Sequence, residues 1–297
     1  MTNRRLFLKQ AGAFAVGSLL ANQLSAFDAL GRKRKMGLQL FTFFPSFDQD
    51  VKGNLQKIAD IGFTEIESAF SMKGGYYGMK PAEFRQMLED VGLHWRSHHV
   101  GGAPFKPNPR FDPSKMPKIN NLRDDAQKAV DEAAEGGVKF LVCASHPIET
   151  LDEVKQGVDT LGKAGEIAQK AGITLAYHNH DKEFVAIEGQ KPYDIFLSQL
   201  SPDVLKMELD LAWVSKAGVD PVALFEQHPG RFPLWHVKDF DAEFKNLKPV
   251  GEGSIDFKRI FAAAKTAGLK QFFVEHDMPA NAVESITSSY KYLSTIL

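Results

Sequence analysis

From residue 36 onward the sequence repeats one kind of unit: a short apolar run rich in β-forming residues, a polar loop, an amphipathic helix and a glycine. Within the predicted helices the apolar residues recur at helical spacing, as in the segment 51–61. A chain that alternates strands and helices is restricted to α/β folds built on a parallel sheet. A glycine just past a helix can adopt the left-handed conformation that ends it. Five predicted helices end in this way, at Gly62, Gly92, Gly137, Gly172 and Gly268.

The number of repeated units decides between the α/β folds. Eight units over residues 36–297 predict a single-domain (β/α)₈ TIM barrel. A doubly wound open sheet is the alternative, but no glycine-rich phosphate fingerprint follows the first predicted strand. The eight predicted strands are Met36–Phe41, Thr64–Ala69, His94–His99, Val138–Cys143, Ile173–His178, Leu205–Asp210, Pro233–Val237 and Gln271–Glu275.

The first 35 residues differ from the rest in composition. Arg4 and Arg5 precede a short apolar segment, and a mostly apolar, small-residue stretch follows as far as Phe27. This arrangement is typical of a signal peptide, and the paired arginines resemble a twin-arginine export signal. We predict a signal peptide and linker over residues 1–35 and export to the bacterial periplasm. The stretch is too short and too polar for a stable membrane anchor. A basic amphipathic helix that stays attached is the alternative.

The charge balance excludes some classes of partner. The chain carries 36 basic and 37 acidic side chains, which gives a formal net charge of -1. Nucleic-acid binding generally requires a basic surface, so we expect no nucleic-acid partner and disfavour a metal-dependent nuclease. The single cysteine, Cys143, lies in an apolar run and is predicted to be a buried, unreactive thiol. We expect a small-molecule substrate, and a homodimer remains open.

Four successive predicted strands, the fifth to the eighth, end in an imidazole or a carboxylate. In a barrel the C-terminal ends of the strands carry the chemistry, so these side chains are expected to converge. Convergent buried charges are costly unless a cation pairs with them. Two imidazoles and two carboxylates suit Mn, Co, Fe or Zn, and less readily Mg. The sequence therefore predicts one divalent metal ion, held by His178, Asp210, His236 and Glu275.

Other polar residues near the strand ends are candidates for proton transfer. His180 lies two residues after His178 and so faces the same side if the strand continues. Glu183 is the preferred acid or base because it lies close to both histidines, and Glu67 is a further candidate. Lys238, two residues after His236, is placed to donate to a carbonyl or alkoxide oxygen.

Three further residues are predicted to bind substrate: His99 at the end of the third strand, and Phe43 and Trp213 as apolar walls for a sugar ring. The segment Gly101–Asn121 contains five prolines and no helical period. Long loops on the functional face of a barrel often cover the site, so this segment is a candidate cover; a solvated surface excursion is the alternative.

Taken together, these motifs resemble the xylose isomerase-like TIM barrels, a family that includes sugar phosphate isomerases and epimerases. The resemblance implies a metal site of Glu, Asp, His and Glu from strands five to eight, in which the two glutamates also move the proton. Asp210, His236 and Glu275 match this set, whereas His178 stands in place of the first glutamate. The matching segments are Gly62–Glu67, Tyr177–Phe184, Leu209–Val214, Ala217–Pro221, His236–Asp239, Gly251–Gly253 and Val274–Glu275.

The resemblance implies a metal-dependent sugar isomerase or epimerase that removes a proton next to a carbonyl. Because the chain is predicted to be exported, we expect an unphosphorylated carbohydrate. The absence of the first glutamate leaves a second reading open, a 3-keto-glycoside 1,2-lyase or hydratase that uses the same enolate chemistry. An exported sugar-binding barrel without catalysis is a third.

Overall fold

A computed structural model describes residues 35–104, 117 and 119–297 of the chain. Eight parallel strands form a closed barrel in which neighbours in sequence are neighbours in space, and the last strand pairs with the first. The predicted TIM-barrel fold is therefore confirmed. The strands are β1 (Gly37–Gln39), β2 (Glu65–Ser68), β3 (His94–Gly101), β4 (Phe140–Ser145), β5 (Thr174–His178), β6 (Lys206–Asp210), β7 (Leu234–Val237) and β8 (Gln271–Val274).

Helices surround the barrel and connect successive strands. A short antiparallel ribbon, which pairs Asp239–Phe240 with Leu247–Lys248, follows β7 at the C-terminal end of the barrel. This ribbon was not among the predicted elements. The helices are α1 (Val51–Ile61), α2 (Pro81–Asp90), α3 (Leu122–Glu135), α4 (Leu151–Lys170), α5 (Pro192–Gln199), α6 (Leu211–Lys216), α7 (Pro221–Gln227), α8 (Phe257–Ala262), α9 (Ala264–Ala267) and α10 (Ala282–Ile296).

The glycines predicted to follow five helices all have positive φ angles, as the prediction required. Gly62 has a φ of 116° and its amide donates to the carbonyl of Ala59, which closes α1. A side chain on Gly62 would also collide with the ring of Tyr290. Glycine is thus needed here both for the conformation and for the packing.

β4 differs most from its predicted bounds, because it begins and ends two residues later than predicted. β1 and β3 differ by two residues at their C-terminal ends. β1 ends at Gln39 because the side-chain oxygen of Gln39 accepts the amide of Phe41 at 3.1 Å, and this bond turns Leu40–Phe43 into a 3₁₀ helix. β3 continues to Gly101, two residues beyond the prediction, because it stays paired with β4. Both differences lie at the end of the barrel that carries the site.

A buried apolar cluster fills the barrel below the polar strand ends. It contains Val142 from β4, Ala176 from β5, Leu234 from β7 and Phe273 from β8. Because side chains two residues apart on a strand share a face, three of these residues lie one layer below a polar residue of the same strand. The polar residues above them are His178, His236 and Glu275.

Two predictions fall on parts of the chain that the structure does not describe. The signal peptide over residues 1–35 lies almost entirely outside the described residues, and so does most of the proline-rich segment Gly101–Asn121. Among the helices of the described residues, none combines the length and the apolar character that a membrane span requires.

Candidate active site

A cavity of about 380 Å³ opens at the C-terminal ends of the strands. This is the end at which barrel enzymes carry their chemistry. One part of its wall is aromatic and apolar and includes Phe41, Phe70 and Tyr76. The other part is rich in titratable groups: His98, His99, His178, His180, Lys238, Glu275 and Asp277.

Asp210 is the last residue of β6 and the N-cap of α6, and its two carboxylate oxygens have different contacts. Oδ1 accepts the amides of Ala212 and Trp213, both at 2.9 Å, and so caps the helix. The backbone amide of Asp210 donates to the side-chain oxygen of Asn179 at 3.1 Å. These contacts fix the carboxylate, while Oδ2 has no hydrogen-bond partner among the described residues although Asp210 is fully buried.

Asp210 Oδ2 belongs to a group of three ligand-type atoms, which we call the outer group: Asp210 Oδ2, His236 Nδ1 and Glu275 Oε2. His236 Nδ1 lies 2.7 Å from Glu275 Oε2 and 4.0 Å from Asp210 Oδ2. His178 Nε2 lies 3.9 Å from Asp210 Oδ2, so the fourth predicted ligand borders this group. The structure therefore brings the four predicted metal ligands to one place.

Lys238 lies beside the outer group. Its Nζ donates to Asp277 Oδ1 at 2.9 Å and lies 2.8 Å from Glu275 Oε2 and 3.2 Å from Asp210 Oδ2. Burial alone would lower the pKa of Lys238, but the three carboxylates outweigh it and raise that pKa well above its usual range. Lys238 is therefore a fixed positive charge on the cavity wall and cannot serve as a base near neutral pH.

A second group lies deeper in the barrel and contains His99, His178, Glu208 and His236, which we call the inner group. Glu208 Oε2 lies 2.7 Å from His99 Nε2, 3.2 Å from His178 Nδ1 and 3.2 Å from His236 Nε2. Burial and the neighbouring Glu67 carboxylate raise the pKa of Glu208 to about 7. His236 belongs to both groups, with Nε2 in the inner and Nδ1 in the outer.

Glu67 supports the inner group from β2. Its Oε1 accepts from Gln39 Nε2 at 2.8 Å and lies 2.5 Å from His236 Nε2 and 3.1 Å from His99 Nε2. Burial would raise the pKa of Glu67, but His99 and His236 lower it well below its usual range. Glu67 is fully buried and does not line the cavity, so in this structure its carboxylate orients imidazoles.

The donor chemistry of the outer group fits a divalent metal ion. Asp210 Oδ2, His236 Nδ1 and Glu275 Oε2 are buried and make no well-aligned hydrogen bond among the described residues, although Lys238 Nζ forms ion pairs with both carboxylate oxygens. Buried polar atoms usually have a well-aligned partner. Carboxylate oxygens facing an imidazole nitrogen need a proton or a cation between them. Without a metal, the carboxylates of Glu208, Glu275 and Glu67 overcome burial and raise the pKa of His236 well above its usual range.

His180 and Glu183, the two preferred acid–base candidates, are placed differently. His180 lines the cavity and its side chain is 42% exposed. Glu183 is 3% exposed and is not part of the cavity wall. Its Oε1 accepts the Tyr177 hydroxyl at 3.0 Å and its Oε2 accepts the His180 amide at 2.9 Å. Glu183 therefore fixes the segment that carries His180.

Two of the three predicted substrate contacts are not at the cavity wall. Phe43 is 3% exposed and packs against Phe47, because the 3₁₀ turn after β1 directs it inward; Phe41 lines the cavity instead. The Trp213 ring lies 5.8 Å from that of His180, behind the wall. His99 lines the cavity as predicted, although its Nε2 is bound to Glu208.

Glu208 is the site residue that the sequence analysis missed. A signal for it was present, since Glu208 precedes Asp210 by two residues and therefore shares its face of β6. Asp277, which holds Lys238, was also missed. It lies two residues after Glu275, and burial raises its pKa to about 6 although Lys238 opposes this.

The fold and this site define a class of protein. The profile of the xylose isomerase-like TIM barrel family matches residues 55–294, and the chain belongs to that family. Members of this family's fold include an IolI protein that was solved with a bound zinc atom; it is 16% identical, with a TM-score of 0.63 over 89% of this chain and 99% of that one. At this identity the similarity shows the fold alone.

More similar proteins fall into two functional groups. A sugar phosphate isomerase/epimerase from Parabacteroides distasonis ATCC 8503 is 30% identical, with a TM-score of 0.73 over 89% of this chain and 94% of that one. An inosose dehydratase from Geobacillus thermodenitrificans is 25% identical over 163 residues, which cover 49% of this chain and 53% of that relative. The chain thus spans about half the length of this curated relative.

Proposed function

We propose that the protein is a metal-assisted lyase that removes a proton next to a carbonyl of an unphosphorylated carbohydrate and then expels an oxygen substituent from the adjacent carbon. The observation that carries the proposal is that the His180 side chain faces the cavity without a hydrogen bond among the described residues. Four histidines line the cavity in the described part of the chain, and His180 alone among them makes no side-chain hydrogen bond. The others are His98, His99 and His178.

His180 has the properties that an elimination requires of its acid–base group. Burial and the nearby Lys238 lower its pKa to about 4, so the ring is neutral at neutral pH. It is then a weak base, and its imidazolium form is a strong acid. The imidazole takes the proton from carbon, and the C–H electrons form the enolate. When the C–O bond breaks, the imidazolium returns that proton to the departing oxygen. One group thus serves both steps, and no second base is needed.

Lys238 supplies positive charge where the enolate oxygen develops negative charge. Its ammonium is held by Asp277 and Glu275, so it is already oriented before the substrate binds. A divalent ion in the outer group, held by His178, Asp210, His236 and Glu275, would polarise the same carbonyl. We infer Mn, Co, Fe or Zn rather than Mg from the two imidazoles in this set.

The charge of the cavity favours an uncharged substrate. The Lys238 ammonium is already matched by the carboxylates of Glu275, Asp277 and Asp210. The Lys238 ammonium is therefore not free to pair with a phosphate group. A 3-keto-glycoside fits these requirements, because loss of the hydrogen at C2 and of the substituent at C1 gives an unsaturated keto sugar and a free alcohol.

An epimerase is the second candidate, and the 30% identical isomerase/epimerase favours it. Epimerisation with two bases needs an acid–base group on each face of the substrate. Glu275 lines the cavity and could serve as one of them, but His178 occupies the position of the first family glutamate, and its Nδ1 is bound to Glu208. The elimination accounts for this replacement, since a single acid–base group suffices for it.

The product separates these two functions. We expect metal-loaded protein, incubated with a panel of 3-keto-glycosides and free ketoses, to release the C1 substituent from a 3-keto-glycoside. Mass spectrometry would detect the free alcohol and the unsaturated keto sugar. An isomer of unchanged mass would establish the epimerase instead. If neither product forms and binding is still measurable, the protein is a sugar-binding barrel.

We also propose that the protein is exported in folded form, on the basis of Arg4 and Arg5 and the apolar segment after them. Replacement of both arginines with lysine should retain the precursor in the cytoplasm of the producing bacterium. Fractionation and immunoblotting of precursor and mature forms would measure this. Normal periplasmic levels of the double variant would point to the general secretory route.

A further inference from the structure

Glu208 is a carboxylate inside the barrel, and its sheet neighbours are His178 on β5 and Leu234 on β7. It shares a face of β6 with Asp210 and lies two residues deeper. It is fully buried. Burial of a carboxylate is costly unless hydrogen bonds or opposite charges compensate its negative charge.

One oxygen of Glu208 faces three imidazole nitrogens. Glu208 Oε2 lies 2.7 Å from His99 Nε2, 3.2 Å from His178 Nδ1 and 3.2 Å from His236 Nε2. An ionised carboxylate only accepts hydrogen bonds, so a ring nitrogen bonded to it carries a proton. In His178 this places the proton on Nδ1 and leaves the lone pair of a neutral ring on Nε2.

The free nitrogen of His178 then faces the outer group, 3.9 Å from Asp210 Oδ2. We propose that Glu208 is a positioning residue, which fixes His178 in the Nδ1–H tautomer and thereby directs Nε2 at the metal-binding group. Metal-bound histidines usually donate their other ring N–H to a carboxylate or carbonyl, and loss of that partner weakens metal binding. This inference rests on the metal group of the proposed function.

Glu67 contacts His236 in the same way as Glu208 contacts His178. Its Oε1 lies 2.5 Å from His236 Nε2, whose other nitrogen, Nδ1, belongs to the outer group. Two buried carboxylates therefore stand behind the two imidazoles of the predicted ligand set. Glu208 is the more informative to test because it bonds His178, the residue that departs from the family pattern.

The tautomer can be measured directly in the wild-type protein. We expect long-range ¹⁵N–¹H NMR spectra of histidine-labelled protein to show the proton of His178 on Nδ1, which lies 3.2 Å from Glu208 Oε2. The spectrum of His178→Gln would assign the signal. A proton on Nε2 of His178 would overturn the proposal, whether or not the protein binds a metal.

Metal affinity gives the second test. With Co²⁺ in isothermal titration calorimetry, Glu208→Met should weaken binding by about 10- to 100-fold, because Met fills the space but has no oxygen to accept the hydrogen bond from His178 Nδ1. Glu208→Gln should retain more Co²⁺ affinity than Glu208→Met, since the amide oxygen of Gln can still accept a hydrogen bond from His178 Nδ1. Equal losses in the two variants would show that charge alone matters and would contradict the tautomer argument.

Glu65→Met is the matched control. Glu65 is also a fully buried barrel carboxylate, but the partners of its carboxylate are Arg96 and Lys35. Its replacement should leave the Co²⁺ affinity unchanged. A loss equal to that of Glu208→Met would show a general effect on the barrel and overturn the proposal. Circular dichroism would verify that each variant is folded.

A double-mutant cycle tests whether Glu208 acts through His178. Once His178 is replaced with Gln, adding Glu208→Met should cost much less Co²⁺ affinity than it does in the wild type. Additive losses would contradict the proposal. Absence of Co²⁺ binding by the wild type would count against the metal of the proposed function, while the NMR measurement would still decide the role of Glu208.

Discussion

Asp210→Asn should remove the bound metal ion and lower turnover by about 10³-fold, which corresponds to ~4 kcal/mol of transition-state stabilisation. The reason is that Asp210 Oδ2 belongs to the outer group and makes no well-aligned hydrogen bond among the described residues, whereas Oδ1 caps α6. The asparagine oxygen can keep the cap while the charge is lost. Elemental analysis of the purified variant and steady-state kinetics would measure the two effects.

Asp220→Asn provides the control for this variant. Asp220 also caps a helix, since its Oδ1 accepts the amide of Val222 at 3.1 Å, but it lies outside the site. This variant should keep both metal and activity. Full metal content in Asp210→Asn would show that the ion is not held by the outer group, and the ligand assignment would then be wrong.

His180→Gln should lower turnover by about 10²- to 10⁴-fold while the metal content stays at the wild-type level. The neutral His180 ring lines the cavity and is free of side-chain hydrogen bonds among the described residues, so its removal takes away the base without disturbing the outer group. Exchange of the substrate hydrogen next to the carbonyl with solvent deuterium should disappear. Mass spectrometry would follow that exchange.

Glu183→Gln distinguishes His180 from the other predicted base. Glu183 is buried and accepts from Tyr177 and from the His180 amide, so we expect a smaller loss of turnover and continued exchange. If Glu183→Gln abolishes exchange and His180→Gln does not, the base is Glu183. No exchange in the wild type with any keto sugar would argue against proton abstraction altogether.

The sequence by itself determined the barrel and the end of it that carries the site. Alternation of apolar runs and amphipathic helices is a local property of the chain, and eight such units allow few other arrangements. The polar residues that terminate β5 to β8 were readable for the same reason, because parallel strands in a barrel bring their C-terminal ends together. His178, Asp210, His236 and Glu275 follow from that rule alone.

Only the tertiary structure decided which atoms of these residues face one another. A strand period of two tells which side chains point inward, but not their depth relative to other strands, which depends on the stagger of the closed barrel. The place of Glu208 beneath three imidazoles, contributed by β3, β5 and β7, arises from that stagger. The spacing in β6 places Glu208 on the same face as Asp210 but does not tell which side chains of other strands it meets.

The contacts of Phe41, Phe43 and Lys238 could not be predicted from the sequence for a similar reason. Phe41 and Phe43 are two residues apart, and the turn formed by Gln39 decides that Phe41 lines the cavity while Phe43 is buried. Lys238 is held by carboxylates from β6 and from the segment after β8, which are distant in sequence. Contacts between such distant elements depend on how the whole chain packs, so the three-dimensional structure was needed to establish them.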